Sequence, residues 1–294
     1  MKGELPDARA PAEVGRAGRL ELVFERRGER TVLAHQYAEP PLRVGAAFDV
    51  GDAVSLILVC SGPGIFAGDT LRQSVHVKSG ARVVLASQSA LQLHPSSAGA
   101  PARIEHAYRV DEDAELHCQW DPTIPFADAR LEQRFAVDVA PGGRLYWSDA
   151  LMAGRASRGE AWQFARVAHE LELRVGGSLA YLERYALEPR AAPGTPHMAL
   201  GTPDPSRAWV AGANRAFATA LAYHPAVAPA PAEALRRRLD AHAGLRSGVD
   251  LLADRLLLVR LACDSGAVFG NARRELRQFA LASLFQIPGL VDRK

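Results

Sequence analysis

Four stretches of this chain share one form, and that form limits the fold more than any other feature. VHVKSGARVVL, YRVDEDAELHC, FAVDVAPGGRLYW and LELRVGGSLAYLE each read as strand, short polar turn, strand. They recur about every 30 to 36 residues, a period typical of stacked repeats. Side chains alternate in this part of the chain. RLELVFE sets Leu20, Leu22 and Phe24 against Arg19, Glu21 and Glu25. ARIEHAYRV sets Ile104, His106, Tyr108 and Val110 against Arg103, Glu105 and Arg109, and RLEQRFAVDV sets Leu131, Phe135, Val137 and Val139 against Arg130, Glu132, Arg134 and Asp138. Strict alternation marks strands with one face in a core. Turns fall at Arg27-Gly28, Ser79-Gly80, Pro141-Gly142-Gly143 and Gly176-Gly177. One such unit cannot bury its apolar face alone, so the units must stack. The expected fold is mainly β: solenoid-like, or a two-layer stack of sheets built from hairpins, with a small C-terminal helical region.

The pattern changes after Leu187. EPRAAPGTPHMALGTPDPSR carries five prolines and reads as a loop. Beyond it, SRAWVAGANRAFATALAYH, PAEALRRRLDAHAG, VDLLADRLLLVRLAC and ARRELRQFALASLFQ suggest helices, with Ser206 as a cap, Pro231 near a first turn and Gly244 at an end. The expected organisation is a lead-in over 1–17, a mainly-β body over 18–190, a Pro-rich loop over 191–206 and a mostly helical region over 207–294 packed on the body. The lead-in has no apolar stretch of the secretory kind.

Charge and cysteine content remove several function classes. A net charge of +2 gives no electrostatic case for nucleic acid or an anionic membrane. No run of about 18 apolar residues is present to cross a bilayer. Cys60, Cys118 and Cys263 are sparse and odd in number, which fits buried thiols in a reducing cytoplasm rather than a disulfide framework.

The motifs for common chemistries are missing. SGPGIFAGD, residues 61–69, lacks the Lys-Ser/Thr of a phosphate loop; Asp69 follows Gly68 instead and would repel phosphate. Its glycines read as a turn needing positive φ or close backbone approach. His169-Glu170 does not continue into a zinc-protease motif. His106, on an apolar strand face, reads as a core histidine, and His35, His76 and His117 as outward-facing ones. The carboxylates Asp69, Asp149 and Glu183 lie beside glycine- or aromatic-rich β segments. Paired carboxylates would suit a β-solenoid carbohydrate-active enzyme, although aromatic residues for sugar stacking make up only 7%. In GRASRGE, residues 154–160, Arg155 and Arg158 could hold a carboxylate in bidentate fashion. Alternatively, Glu160 pairs with an arginine inside a structured loop.

Taken in order, GPGIFAGD, LASQSALQLH, WDPTIPFADARLEQ, DALMAGRASRGE and AYLERYAL resemble the urease accessory protein family UreD, also called UreH. The resemblance covers about residues 18–190. It departs at Gly62-Pro63-Gly64, where three glycines are usual, and at Ala86-Ser87-Gln88, where Thr-Thr-Gln is usual. It implies a non-enzymatic scaffold that binds apo-urease and a helical partner, UreF, which recruits the GTPase UreG. It implies no tightly bound cofactor but transient Ni²⁺, moving through an internal polar passage. The passage residues it points to are Asp69, Asp149 and Glu183, with Ser89. The matched motifs also include Gly68, Gln88, Arg155, Gly159 and Glu160. A conduit must release its ion, so scattered carboxylates, hydroxyls and carbonyls suit it better than a His/Cys cage.

Overall fold

The structure is a computed structural model that describes residues 15–96, 99–189, 213–253 and 255–287. Most of the expected lead-in and the Pro-rich loop over 191–206 lie outside the described residues, while Ala17 already opens the first strand. The strands are β1 Ala17–Arg27, β2 Arg30–Ala38, β3 Leu42–Val50, β4 Ala53–Cys60, β5 Thr70–Val77, β6 Arg82–Ser87, β7 Leu91–Leu93, β8 Ala102–Val110 and β9 Glu115–Gln119. They continue with β10 Thr123–Pro125, β11 Arg130–Val139, β12 Arg144–Met152, β13 Arg166–Val175, β14 Ser178–Leu187, β15 Ala216–Tyr223, β16 Leu245–Ala253 and β17 Leu256–Cys263. Two helices complete the set, α1 Pro229–Asp240 and α2 Gly266–Phe279, the latter running into a π-helical turn at Ala280–Leu284. No described helix is long and apolar enough to cross a membrane.

The strands form two sheets. One has seven strands in the order β14-β13-β11-β8-β5-β1-β2. The other has ten, ordered β16-β17-β15-β12-β9-β6-β4-β3, with β10 beside β12 and β7 beside β10. β5, β8 and β11 lie in the first sheet, and each is followed by a strand of the second: β6, β9 and β12. Within each sheet these strands pair in parallel. This coil is the solenoid-like part. Antiparallel strands flank it on both sides.

Turn chemistry decides which repeats coil and which fold back. The first three repeats carry the chain between sheets, but LELRVGGSLAYLE is a hairpin, with β13 pairing antiparallel to β14. Gly176 and Gly177 both have positive φ, at 57° and 79°. Two consecutive positive-φ residues are what a two-residue hairpin turn requires. The coil turns keep a register of their own. Val77, Val110, Val139 and Val175 stand side by side, with the first three at most 2% exposed. On the second sheet Arg82, Glu115 and Arg144 do the same. Glu115, 1% exposed, accepts from Arg82 at 2.8 Å and Arg144 at 3.4 Å, so a buried carboxylate has two cationic partners.

Two of the four segments read as helices beyond residue 206 are corrected, while PAEALRRRLDAHAG and ARRELRQFALASLFQ are helical as expected. AFATALAY is β15, and VDLLADRLLLVRLAC is the β16–β17 hairpin. In β15 the alternation is present but written in alanine. Ala216, Ala218, Ala220 and Ala222 face the helices, where small side chains admit close packing. The first half of β17 is covered on both faces, so Leu256–Val259 form one apolar run, which periodicity cannot tell from a helix.

Three layers result: first sheet, second sheet, helices. Phe24, Leu85, Phe135 and Trp147 belong to a core between the sheets. Ile65, Leu131, Leu151 and Phe164 form a separate one at another level of the same space. Leu235, Leu239, Phe269 and Leu276 seat the helices on the outer face of the second sheet.

Candidate functional site

The space between the sheets is not apolar throughout. Gln73, His106, Gln133, His169 and Glu183 occupy inward positions on β5, β8, β11, β13 and β14. Their neighbours two residues away are Leu71, Tyr108, Phe135, Leu171 and Tyr185. Registers place Gln73, His106, Phe135, Leu171 and Glu183 in one row, and Gln133, His169 and Tyr185 in the next. Asp149 of β12 faces them from the second sheet. This polar band lies between the two apolar cores of the inter-sheet space.

Asp149 is the most perturbed acid in the band. Its Oδ2 lies 3.7 Å from His169 Nδ1, and its side chain is 15% accessible. Burial, reinforced by the Glu183 carboxylate, pushes its pKa up to about 8; the charge of Arg273 on α2 partly opposes this. His169 stacks on Tyr185 with ring centroids 4.8 Å apart, and burial lowers its pKa to about 4. At neutral pH the pair is therefore a protonated carboxyl beside a neutral imidazole. Glu183 is 10% accessible; its Oε1 pairs with Arg260 at 3.2 Å, and its Oε2 accepts from the Tyr181 hydroxyl at 3.2 Å. Arg260 also donates to the Tyr181 oxygen at 3.0 Å. Deeper in, His106 Nδ1 lies 2.6 Å from the Tyr108 hydroxyl, which accepts from Gln73 at 3.2 Å. Burial lowers the His106 pKa to about 3, in keeping with a core histidine. Among the described residues no three His, Cys, Asp or Glu side chains converge as a metal cage.

Asp69 is placed differently. It is fully buried, and its carboxylate accepts from the Arg16 amide at 2.8 Å, the Arg16 guanidinium at 3.0 Å and the Phe66 amide at 3.0 Å. It fastens the segment before β1 to the 61–69 turn. Gly64, at φ 135°, shows why that turn needs glycine: a Cβ there would meet the Gln92 carbonyl oxygen at 2.3 Å. Gly68 has φ 78° and sits against Gly15. Gln88 and Ser89 lie exposed in the bend after β6.

GRASRGE is a self-contained loop. Arg155 grips Glu160 through two hydrogen bonds, at 2.8 and 2.5 Å, and its guanidinium lies 3.8 Å from the centre of the Phe126 ring. Arg155 holds the Glu160 carboxyl below its usual pKa range. Gly159 closes the short 3₁₀ turn in the left-handed region, at φ 74°. Of the two readings of this motif, the internal Arg–Glu pair is the one observed. The outward placement of His117 is corrected: it is 0% exposed, stacked on Tyr146 at 4.3 Å beneath the helical layer. Its strand is covered on both faces, so its position gives no cue of burial. Cys118 and Cys263 are buried and Cys60 is partly so; all three are free thiols.

Sequence reasoning overlooked Gln73, Gln133, His169, Tyr181, Tyr185 and Arg260 as members of the band. A usable cue existed for most of them, a polar residue where alternation asks for an apolar one, as His169 does in RVAHELELRV.

The sequence profile described as UreD urease accessory protein matches residues 16–293. The urease accessory protein UreD of Sorangium cellulosum (strain So ce56) is 34% identical over 235 residues, covering 80% of this chain and 73% of the relative. That of Cupriavidus pinatubonensis is 31% identical over 248 residues, covering 82% and 81%. That of Deinococcus radiodurans is 30% identical over 295 residues, covering 97% and 98%. With a family match over nearly its whole length, the chain belongs to the UreD family of urease accessory proteins.

Proposed function

We propose that this chain is a maturation scaffold that binds apo-urease together with a UreF-like helical protein, and through that protein a UreG-like GTPase. We propose further that Ni²⁺, its cargo, passes along the polar band between the sheets. The observation that carries this reading is the grouping of Asp149, His169 and Glu183 in a polar band between two apolar cores. Burying an ionisable acid beside another costs free energy that a purely structural core has no reason to bear. An incoming divalent cation would displace the Asp149 proton and meet oxygen and imidazole donors a few at a time, which permits release. Asp69, held by Arg16, contributes by fastening the turn at the edge of the same space. The alternative of a carbohydrate-active enzyme asks for carboxyls in an open cleft, whereas Asp149 and Glu183 are 15% and 10% accessible.

The test is co-expression with the urease components. Asp149→Asn and Glu183→Gln should each lower urease activation at least about tenfold, since losing even an outer-shell partner of a metal ligand costs that much, while copurification with urease and the helical partner persists. Asp69→Ala should weaken copurification as well, because it releases the Arg16 clasp. Normal activation in both band variants, or loss of assembly in them, would overturn the passage reading.

A further inference from the structure

The polar band comes to the surface at Arg260. On the second sheet, Asp149 of β12 pairs with Thr219 of β15, Thr219 with Arg260 of β17, and Arg260 with Gly248 of β16. This row leads from the buried acid to the edge strand. Neighbouring strands lie about 4.8 Å apart, so the Arg260 backbone is about 10 Å from Asp149. Its side chain is 57% accessible, yet its guanidinium reaches back to Glu183, which is 10% accessible. Tyr181 bonds both members of that pair. A mostly exposed cation therefore sits on the last buried carboxylate of the band.

Beyond Arg260 the row ends in Gly248, and a Cβ there would meet only the Asp250 carboxylate, at 3.9 Å. No side chain at that position blocks the outward arc of Arg260. Asp250 stands two residues further along β16 on the same face, is exposed, and forms no ion pair among the described residues. Asp250 is thus the diagonal neighbour of Arg260 across the β16–β17 pair, an offset of about 7–8 Å that long side chains bridge, so Arg260 stands between two carboxylates, Glu183 in the band and Asp250 outside it.

We infer that Arg260 is a two-station latch for this passage: on Glu183 it closes the band where it meets the surface, and on Asp250 it leaves Glu183 free for a divalent cation. The inference rests on the passage reading above. Arg260 and the cation compete for the same Glu183 oxygens, so their occupancies exclude each other. The Arg260 end of the closed pair is 57% accessible, so water can take up the guanidinium as it leaves and the Glu183 carboxylate passes to the cation rather than staying unpaired.

Calorimetric titration of the purified full-length chain with Ni²⁺ tests this. Arg260→Gln should tighten binding at least about fivefold, because the cation no longer competes with a guanidinium for Glu183, and Arg260→Lys should fall between variant and parent. Asp250→Asn, an exposed change unlinked to folding, should weaken binding by a few-fold by favouring the closed station. Adding Glu183→Gln to Arg260→Gln should abolish the gain. If Arg260→Gln and Asp250→Asn bind Ni²⁺ like the parent while Glu183→Gln binds more weakly, the latch is wrong and the passage stands. If Asp149→Asn and Glu183→Gln also leave binding unchanged, the passage reading falls with it.

Discussion

Asp149 carries a stability cost, which the passage proposal reads as a proton held for a metal to replace. Its folded pKa of about 8 lies above that of an unfolded aspartate, about 3.9. The sign follows directly: its contribution to stability is full below about pH 4, is lost as pH rises through 8, and is level above that. Asp149→Asn should therefore be more stable to urea than the parent at pH 9, by up to about 5 kcal/mol, and the difference should shrink toward pH 5. Nickel uptake by the parent should rise over the same interval, because the proton leaves. Buried histidines work at the opposite end. His117, His106 and His169 have folded pKa values of about 3, 3 and 4, below the unfolded value of about 6.5. The stability they confer is present above that value and lost as pH falls toward 3. His117→Phe keeps the stacking on Tyr146 and removes the titration. It should flatten the acid limb of a stability–pH curve by up to about 1.4 kcal/mol per pH unit.

At the scale of the element, turns determine what the repeats become. Two consecutive left-handed glycines fold β13 back on β14, while the other repeat turns pass the chain to the second sheet. Gly64 belongs to the same class of constraint, since both its φ and the Gln92 carbonyl exclude a side chain. Gly64→Ala should lower stability by about 2–4 kcal/mol in denaturant unfolding, the range for a strained backbone with a steric clash. Strands with one solvated face were legible because Leu20, Leu22 and Phe24 alternate with charges. β15 and the first half of β17 were not, because both of their faces are covered and nothing forces a polar residue into alternate positions. The site followed the same rule. Asp149 and Glu183 could be named from motifs, yet their adjacency depends on β12 and β14 lying in different sheets, a long-range fact that no local pattern carries.

For the whole molecule, the three layers are linked through the band. The first sheet supplies His169 and Glu183, the second Asp149 and Arg260, and the helical layer Arg273, which is 6% exposed, donates to the Trp120 carbonyl and opposes the rise in the Asp149 pKa. A partner that moves one layer would thus change the electrostatics of the others. The central claim is that nickel reaches urease by way of Asp149 and Glu183. Its most direct test is the nickel content of urease matured with the Asp149→Asn, Glu183→Gln double variant, measured by mass spectrometry after the assembly has been recovered intact. The account predicts nickel at the level of urease matured without this chain; a full complement of nickel in that urease would contradict it.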